Sequence, residues 1–412
     1  MDVVYTHCCG LDIHKKLVVA CLLTPGAHGQ PQKEIRSFGT MTADLLELAD
    51  WLRAAGCTHV AMEATGVYWQ PLYNLLEEHF TLLLVNARHI KAVPGRKTDV
   101  RDCEWIADLL RHGLLRASFV PDRAQRELRA LTRYRSALVR ERTAEVNRLQ
   151  QTLEGANVKL AAVATDVLGQ SGRAMLEALV GGATDAAALA ELARGKLRAK
   201  RPQLVQALTG RFGPHHRFLV AEQLGHIDEL DERIARVSAE IAERMRPFAA
   251  TLAQLDAIPG VGQYTAEVLV AELSTDLSRF PSAAHLASWA GMCPGNHESA
   301  GKRQSGKTRK GNPYVRAALI EAAQAAGRKK GCYLAAQYRR LAHRRGKKKA
   351  AVAVGHSILV IAYHLLTRGT PYEELGGNYF DERERQAVKR RLVQRLEDLG
   401  YEVTIQPATP AA

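Results

Sequence analysis

Residues 3–12 read VVYTHCCGLD, an apolar strand-like run that closes on a carboxylate, Asp12. His14-Lys15-Lys16 follow as a polar turn, and Leu17 to Leu23 read as the returning strand. Residues 33–41 supply a third strand, and Leu45 to Ala55 has helical spacing. His59 to Ala64 (HVAMEA) is a short buried strand that again carries a carboxylate at its end, Glu63. Val67 to His79 is helical, Thr81 to Asn86 (TLLLVN) is another buried strand, and Thr98 caps a helix running to about Leu115. This alternation of strands and helices predicts an α/β layer fold.

Three strands, helix, strand, helix, strand, helix is the ribonuclease H-like order. In such a sheet the first and fourth strands are neighbours, so Asp12 and Glu63 would lie side by side. Asp99 and Asp102 are three apart and share a helix face. Taken singly, carboxylates at strand ends commonly act as caps or solvated loop residues; their joint placement points to a metal. Four converging carboxylates repel unless a cation neutralises them. Oxygen-only ligands suit Mg²⁺ or Mn²⁺, and a pair of such ions activates an attacking oxygen and stabilises a leaving one in phosphoryl transfer. Asp108, six beyond Asp102, reads as a helix-surface residue.

At 412 residues the chain is long enough for two or three domains, with 46% apolar residues to fill their cores. The net charge of +14 favours a polyanionic partner. Its distribution matters more than its size: Lys302 to Lys349 holds sixteen Lys/Arg and one acid, Glu321, which accounts for the whole excess. Seven scattered cysteines form no CxxC pair, which fits a reducing cytosol better than a disulfide framework. No charged n-region precedes an apolar signal core. The long apolar run Ala350 to Leu366 contains two histidines, a serine and a tyrosine and reads as a buried helix, so no membrane is expected.

From Arg123 to about Glu154, and again from about Arg217 to Arg246, the pattern is long, charged and helical. Ile227, Leu230, Ile234, Val237 and Ile241 follow 3-4-3-4 spacing, a coiled-coil seam that Pro247 ends. Two such helices suggest an antiparallel hairpin or a dimerising arm, against the plainer alternative of two bundle helices. An Ala/Leu-rich helical insert lies between them, at about 158–210. Ile258-Pro259-Gly260-Val261-Gly262 and the apolar helix after it resemble a helix-hairpin-helix, in which backbone amides approach a phosphate; a plain turn fits equally well.

Gly291 to Arg316 reads GMCPGNHESAGKRQSGKTRKGNPYVR. The stretch is either a mobile phosphate-binding loop, to which Lys310 also contributes a cation, or the seat of a serine nucleophile among Lys302, Arg303, Lys307 and Arg309. Those cations would stabilise a pentavalent phosphorus transition state. Composition does not rank Ser299 against Ser305. His297 is a speculative helper, and a polar loop role suits it as well. Lys347, Lys348 and Lys349 extend the candidate nucleic-acid surface.

GLDIHK, MEATGVYW, NARHIKAVPGRKTDVRDCEWIADLLR and GMCPGNHESAGKRQSGKTRKGN, in that order, resemble the DEDD-type insertion-sequence transposases, whose elements encode a structured bridge RNA. AVAVGHSILVIAYHLLTRGTPYEELGGNYF resembles the C-terminal end of many members, so the likeness covers nearly the whole chain. It implies a RuvC-like domain (1–120), a coiled-coil and helical link (121–250), a C-terminal transposase domain with a catalytic serine (251–400) and a flexible tail (401–412). It places the acidic tetrad on Asp12, Glu63, Asp99 and Asp102, and the serine on Ser299, with Ala300 where glycine is common. It further implies a DNA recombinase acting as a homo-oligomer, dimer or tetramer, through a composite site built from two protomers. A noncoding guide RNA would choose donor and target DNA; the basic surface itself does not distinguish RNA from DNA. The competing readings are a metal-only junction resolvase and a non-catalytic nucleic-acid-binding protein, the latter disfavoured by four retained carboxylates.

Overall fold

In a computed structural model that describes residues 2–26, 30–64, 66–86, 102–295 and 297–405, the first strand begins at Cys8, not at residue 3. The backbone N–H groups of Val4 and Tyr5 instead donate to the carbonyl of Arg111, at 2.9 and 3.1 Å. The Val4 side chain is more than half exposed, so a β-branched run here does not mean a buried strand. Two units make up the chain, residues 1–123 and 124–412.

The first unit is built on β1 (Cys8–Ile13), β2 (Val18–Pro25), β3 (Pro31–Phe38), β4 (His59–Glu63) and β5 (Thr81–Val85), in the spatial order β3-β2-β1-β4-β5. β2 and β3 are antiparallel neighbours; β1, β4 and β5 run parallel, with Leu11 opposite Met62. The expected adjacency of the first and fourth strands is therefore present. Side chains alternate across the sheet. Cys9, Leu11, Val60 and Met62 face one core with Leu48 and Leu52 of α1 (Thr42–Ala54) and Leu72 and Leu76 of α2 (Trp69–Leu76). Cys8, Ala61 and Val85 face the other, under α3 (Asp102–Arg111). Gly10 makes the second contact possible: a Cβ there would stand 2.3 Å from the Cys103 carbonyl oxygen and 2.4 Å from the Ala107 nitrogen. α3 ends earlier than Leu115 because Gly113, with φ +67°, closes it, and Leu114 N–H reaches back to the Leu109 carbonyl at 3.0 Å.

The second unit opens with α4 (Arg123–Gly155), which pairs antiparallel with α5 (Pro214–Met245). Arg142 bonds Asp231, Gln223 bonds Thr152 at 3.2 Å, and Arg244 bonds Glu127 at 2.9 Å, so the partners run in opposite directions. Along the heptad seam, Ile227 packs with the helical insert, Ile241 packs with the C-terminal core, Leu230 is buried, and Ile234 and Val237 are partly exposed. That second core joins α6 (Ala249–Asp256), α7 (Gln263–Leu273), α8 (Ala283–Trp289), α9 (Pro313–Arg328), α10 (Tyr333–Arg345) and α11 (Lys347–Arg368); between α8 and α9 the chain forms a two-stranded hairpin, β6 (His297–Ser299) and β7 (Lys302–Ser305). α11 is long and apolar enough to cross a membrane, but Val354, Ile358, Leu359 and Ala362 are buried among the neighbouring helices.

Candidate functional site

The alternation in β1 and β4 decides where the first carboxylates go. Asp12 shares its face with Cys8 and Gly10, and Glu63 shares its face with Ala61. Both faces lie toward α3. Asp12 and Glu63 stand at the carboxyl ends of adjacent parallel strands, one residue beyond the Leu11–Met62 pair. Asp102 is the first residue of α3, exposed, and Cys103 after it packs against Gly10. The Asp12 carboxylate is close enough to add to the burial and the Glu104 charge that push the Cys103 thiol up. Asp12, Glu63 and the start of α3 thus occupy one face and one end of the sheet.

Asp99, the segment 87–101 and the Thr98 cap lie outside the described residues. Among the described residues, no three His, Cys, Asp or Glu groups come together at metal-binding range. The donor chemistry of Asp12, Glu63 and Asp102 is oxygen only and suits a hard divalent cation. His14, read from sequence as a turn residue, places Nε2 3.1 Å from Asp12 Oδ2. The HK dipeptide two residues after the carboxylate is the signal that could have singled it out. Asp108 is exposed near the other end of α3 and faces His112 at 3.6 Å.

The downstream stretch is a hairpin, where a loop was the expectation. Ser299 is the last residue of β6 and pairs with Lys302 across Ala300 and Gly301. Both turn residues have positive φ, +51° and +73°, the type I′ geometry that matches strand twist. This explains why glycine suits position 300, since alanine carries a Cβ into that region. The side chains of Ser299 and Arg303 lie outside the described residues, as does that of His297. Ser305 accepts from the Lys307 N–H at 3.2 Å. At the base of the hairpin, a Cβ on Gly291 would meet the Gly311 nitrogen at 2.7 Å, and one on Gly295 the Lys307 carbonyl at 2.6 Å. Those glycines close the stem. Gly260 likewise serves packing, because a Cβ there would sit 2.2 Å from the Ala322 carbonyl of α9.

Lys302, Lys307, Arg309, Lys310, Lys347, Lys348 and Lys349 are all exposed. The three consecutive lysines occupy the first turn of α11, whose N-cap Gly346 supplies no side-chain cap. Cations at a helix N-terminus oppose its dipole, so this arrangement is a local cost that an anionic partner would offset. Lys348 and Lys349 line a cavity of about 690 Å³ together with Lys307, Thr308 and Arg316. The structure therefore brings the lysine run to the stem of the serine hairpin.

Sequence reasoning missed two buried carboxylates. Glu267 and Glu272 of α7 are 2% and 0% exposed. Arg135 reaches Glu267 at 2.6 Å, and Arg133 and Asn312 reach Glu272. Asn312 also accepts from the N–H groups of Tyr314 and Val315, at 3.0 and 3.1 Å, capping α9 directly after the basic hairpin.

Residues 9–158 match the DEDD-type IS110 family model described as a transposase, and residues 252–339 match the model of the transposase IS116/IS110/IS902 family. The "Probable family 20 transposase" of Pseudomonas aeruginosa is 28% identical over 333 residues, which span 79% of this chain and 89% of that protein. The "Transposase for insertion sequence element IS1111A" of Coxiella burnetii is 26% identical over 328 residues, 77% of this chain and 79% of that protein.

Proposed function

From a chain that carries both IS110-family transposase domains, we propose an insertion-sequence recombinase that exchanges DNA strands through a phosphoserine link at Ser299. The observation that carries the reading is the placement of Asp12, Glu63 and the start of α3 on one face and one end of a five-stranded mixed sheet, which supports reading this unit as RuvC-like.

Ser299 Oγ attacks a DNA phosphate. The new oxygen–phosphorus bond forms as the bond to one bridging deoxyribose oxygen breaks; a base takes the serine proton, and the departing oxygen is protonated. A hydroxyl of the other strand then attacks the phosphoserine and restores both the diester and the serine. Phosphodiester bonds are conserved, so no hydrolysis is needed. Lys302, Arg303, Lys307 and Arg309 offset the charge that develops on the phosphate. Mg²⁺ or Mn²⁺, held by Asp12, Glu63, Asp99 and Asp102, would supply further charge neutralisation. The choice of Ser299 over Ser305 rests on the likeness of GMCPGNHESAGKRQSGKTRKGN to the family's serine motif. A noncoding RNA of the element pairs with the donor and target sites, and a homo-oligomer holds them together.

The test is recombination by purified protein with paired DNA sites, with and without the flanking noncoding transcript. Labelled suicide DNA and peptide mass spectrometry should place a phosphodiester on Ser299, and omission of the transcript should abolish exchange. Efficient cleavage with no protein–DNA adduct would replace this reading with a metal-only resolvase.

A further inference from the structure

Beyond both segments matched to the family models, the chain ends its described part on a helix with an uncovered apolar face. α12 (Tyr379–Arg383) anchors its start. Phe380 stacks on Tyr333 with ring centroids 5.3 Å apart, and Arg340 bonds the Glu384 carboxylate at 2.9 Å. α13 (Arg385–Glu397) follows. Leu392, Leu396 and Leu399 stand four and three residues apart, on one helical face, and are 53%, 43% and 69% exposed. Gly400, with φ +87°, closes the helix, and the Tyr401 N–H donates to the Leu396 carbonyl at 3.1 Å. Leu399 is thereby held in line with the other two. A lone helix of thirteen residues is marginal in water, and a contiguous leucine face marks a contact surface. The face therefore calls for a cover.

The flanking charges say what the cover is. At about 100° per residue, Lys389 and Glu397 flank the leucines on one side, and Arg391 and Asp398 on the other. On both sides the cation lies toward the N-terminus and the acid toward the C-terminus. Such a pattern complements a copy of itself only in reverse. With a two-fold axis beside Gln394, Leu392 meets Leu396 of the second copy, Arg391 meets Asp398, and Lys389 meets Glu397, each contact being made twice. A parallel pair would set Arg391 on Arg391 and Asp398 on Asp398. Nucleic acid would satisfy the cations and leave the leucines without apolar surface.

We propose that α13 is a self-association helix that pairs antiparallel with α13 of a second copy of this chain, through Leu392, Leu396 and Leu399 and the crossed Arg391–Asp398 and Lys389–Glu397 pairs. A helix of thirteen residues is about 20 Å long, so the interface is small and belongs to the reversible class. The proposal rests on the strand-exchange reading above only for the use of a homo-oligomer, and assigns it a surface.

The test is sedimentation of the full-length protein, without nucleic acid, over a range of concentrations. The parent should self-associate reversibly. Leu392→Gln combined with Leu396→Gln should raise the dissociation constant at least tenfold, with a melting temperature close to the parent's because both leucines lie on the surface. Arg391→Glu alone and Asp398→Arg alone should each weaken association severalfold, and the two together should restore it, since each copy then presents the reversed pair. A parent that stays monomeric, a leucine variant that associates as the parent does, or a charge-reversed pair that fails to recover overturns the proposal. Unchanged association with lost affinity for DNA or the transcript makes α13 a nucleic-acid contact and overturns it as well. Self-association that depends on the leucines, in a protein that forms no DNA adduct, keeps the helix pair and removes the serine reading. An adduct formed by a parent that never self-associates does the reverse.

Discussion

Arg133 and Glu272 form a two-pronged ion pair, Nε to Oε1 at 2.7 Å and Nη2 to Oε2 at 2.9 Å, with the carboxylate wholly buried. Asn312 donates to the same carboxylate at 2.7 Å, so one buried charge joins α4, α7 and the cap of α9. Its loss would leave Asn312 and the Arg133 guanidinium without their acceptor. Glu272→Ala should cost on the order of 3 kcal/mol, the lower end for breaking a buried pair, because Arg133 is partly solvated. Asn312→Ala should cost about 1 kcal/mol as a lost cap. Hydrogen exchange should show both variants losing protection at the amides of Tyr314, Val315 and Arg316; unchanged protection there would mean the cap is redundant.

Gly10 sets how closely α3 lies on β1. With the Cys103 carbonyl 2.3 Å from the position of an added Cβ, and backbone on every side, Gly10→Ala forces the helix outward. Overpacking of this kind costs about 1–3 kcal/mol. The displacement also carries Asp102 away from Asp12, so strand exchange should fall further than the melting temperature suggests. Exchange at the parental rate would show that the separation of β1 and α3 is not critical.

The sheet was readable because alternating burial and strand-end carboxylates are local signals. The partner of the heptad seam was not. Ile227, Leu230 and Ile241 declare an apolar face, but a face does not say what covers it; here it is the arginine-rich α4 and the two cores at its ends. The glycines of the hairpin resembled a phosphate cradle, whereas Gly291 and Gly295 exist to let the stem close. Glu267 and Glu272 sit in an apolar helix, which hints at buried pairing. Their arginines lie more than 130 residues away in sequence, beyond the reach of any pattern. The meeting of Lys348 with the hairpin stem is likewise a product of tertiary packing.

The turn at Ala300 stores strain. An L-residue with φ +51° costs roughly 1 kcal/mol relative to glycine. Ala300→Gly should therefore stabilise the hairpin by about that amount, seen as increased protection of the amides of β7. A lower protection would show that the added freedom of the unfolded chain outweighs the relieved strain.

Burial pushes the thiols of Cys8, Cys21 and Cys57 up to about 12. At pH 8 the thiolate fraction of each is then about one in ten thousand. Iodoacetamide at that pH should spare all three in the native protein, while partly exposed Cys293 reacts first. Raising the pH toward 12 increases the reactive fraction only if the fold survives, so labelling of Cys8 at pH 8 in step with Cys293 would indicate that the first unit opens locally.

The acidic face makes the most direct demand on experiment. Asp12, Glu63 and Asp102 share one end of the sheet, and like charges so placed favour a cation between them. Asp12→Asn, Glu63→Gln and Asp102→Asn keep size and hydrogen bonding while each removes one charge. Each should weaken Mn²⁺ binding, read by electron paramagnetic resonance, at least tenfold, and each should raise or leave unchanged the melting temperature of the metal-free protein, because repulsion is relieved. Loss of binding with preserved folding separates a ligand from a structural residue. Strand exchange should fall in the same order as Mn²⁺ affinity and be partly restored by excess metal. Asp102→Asn that binds Mn²⁺ as the parent does, and exchanges strands normally at limiting Mg²⁺, would take Asp102 out of the site and leave α3 a purely structural cover for the sheet.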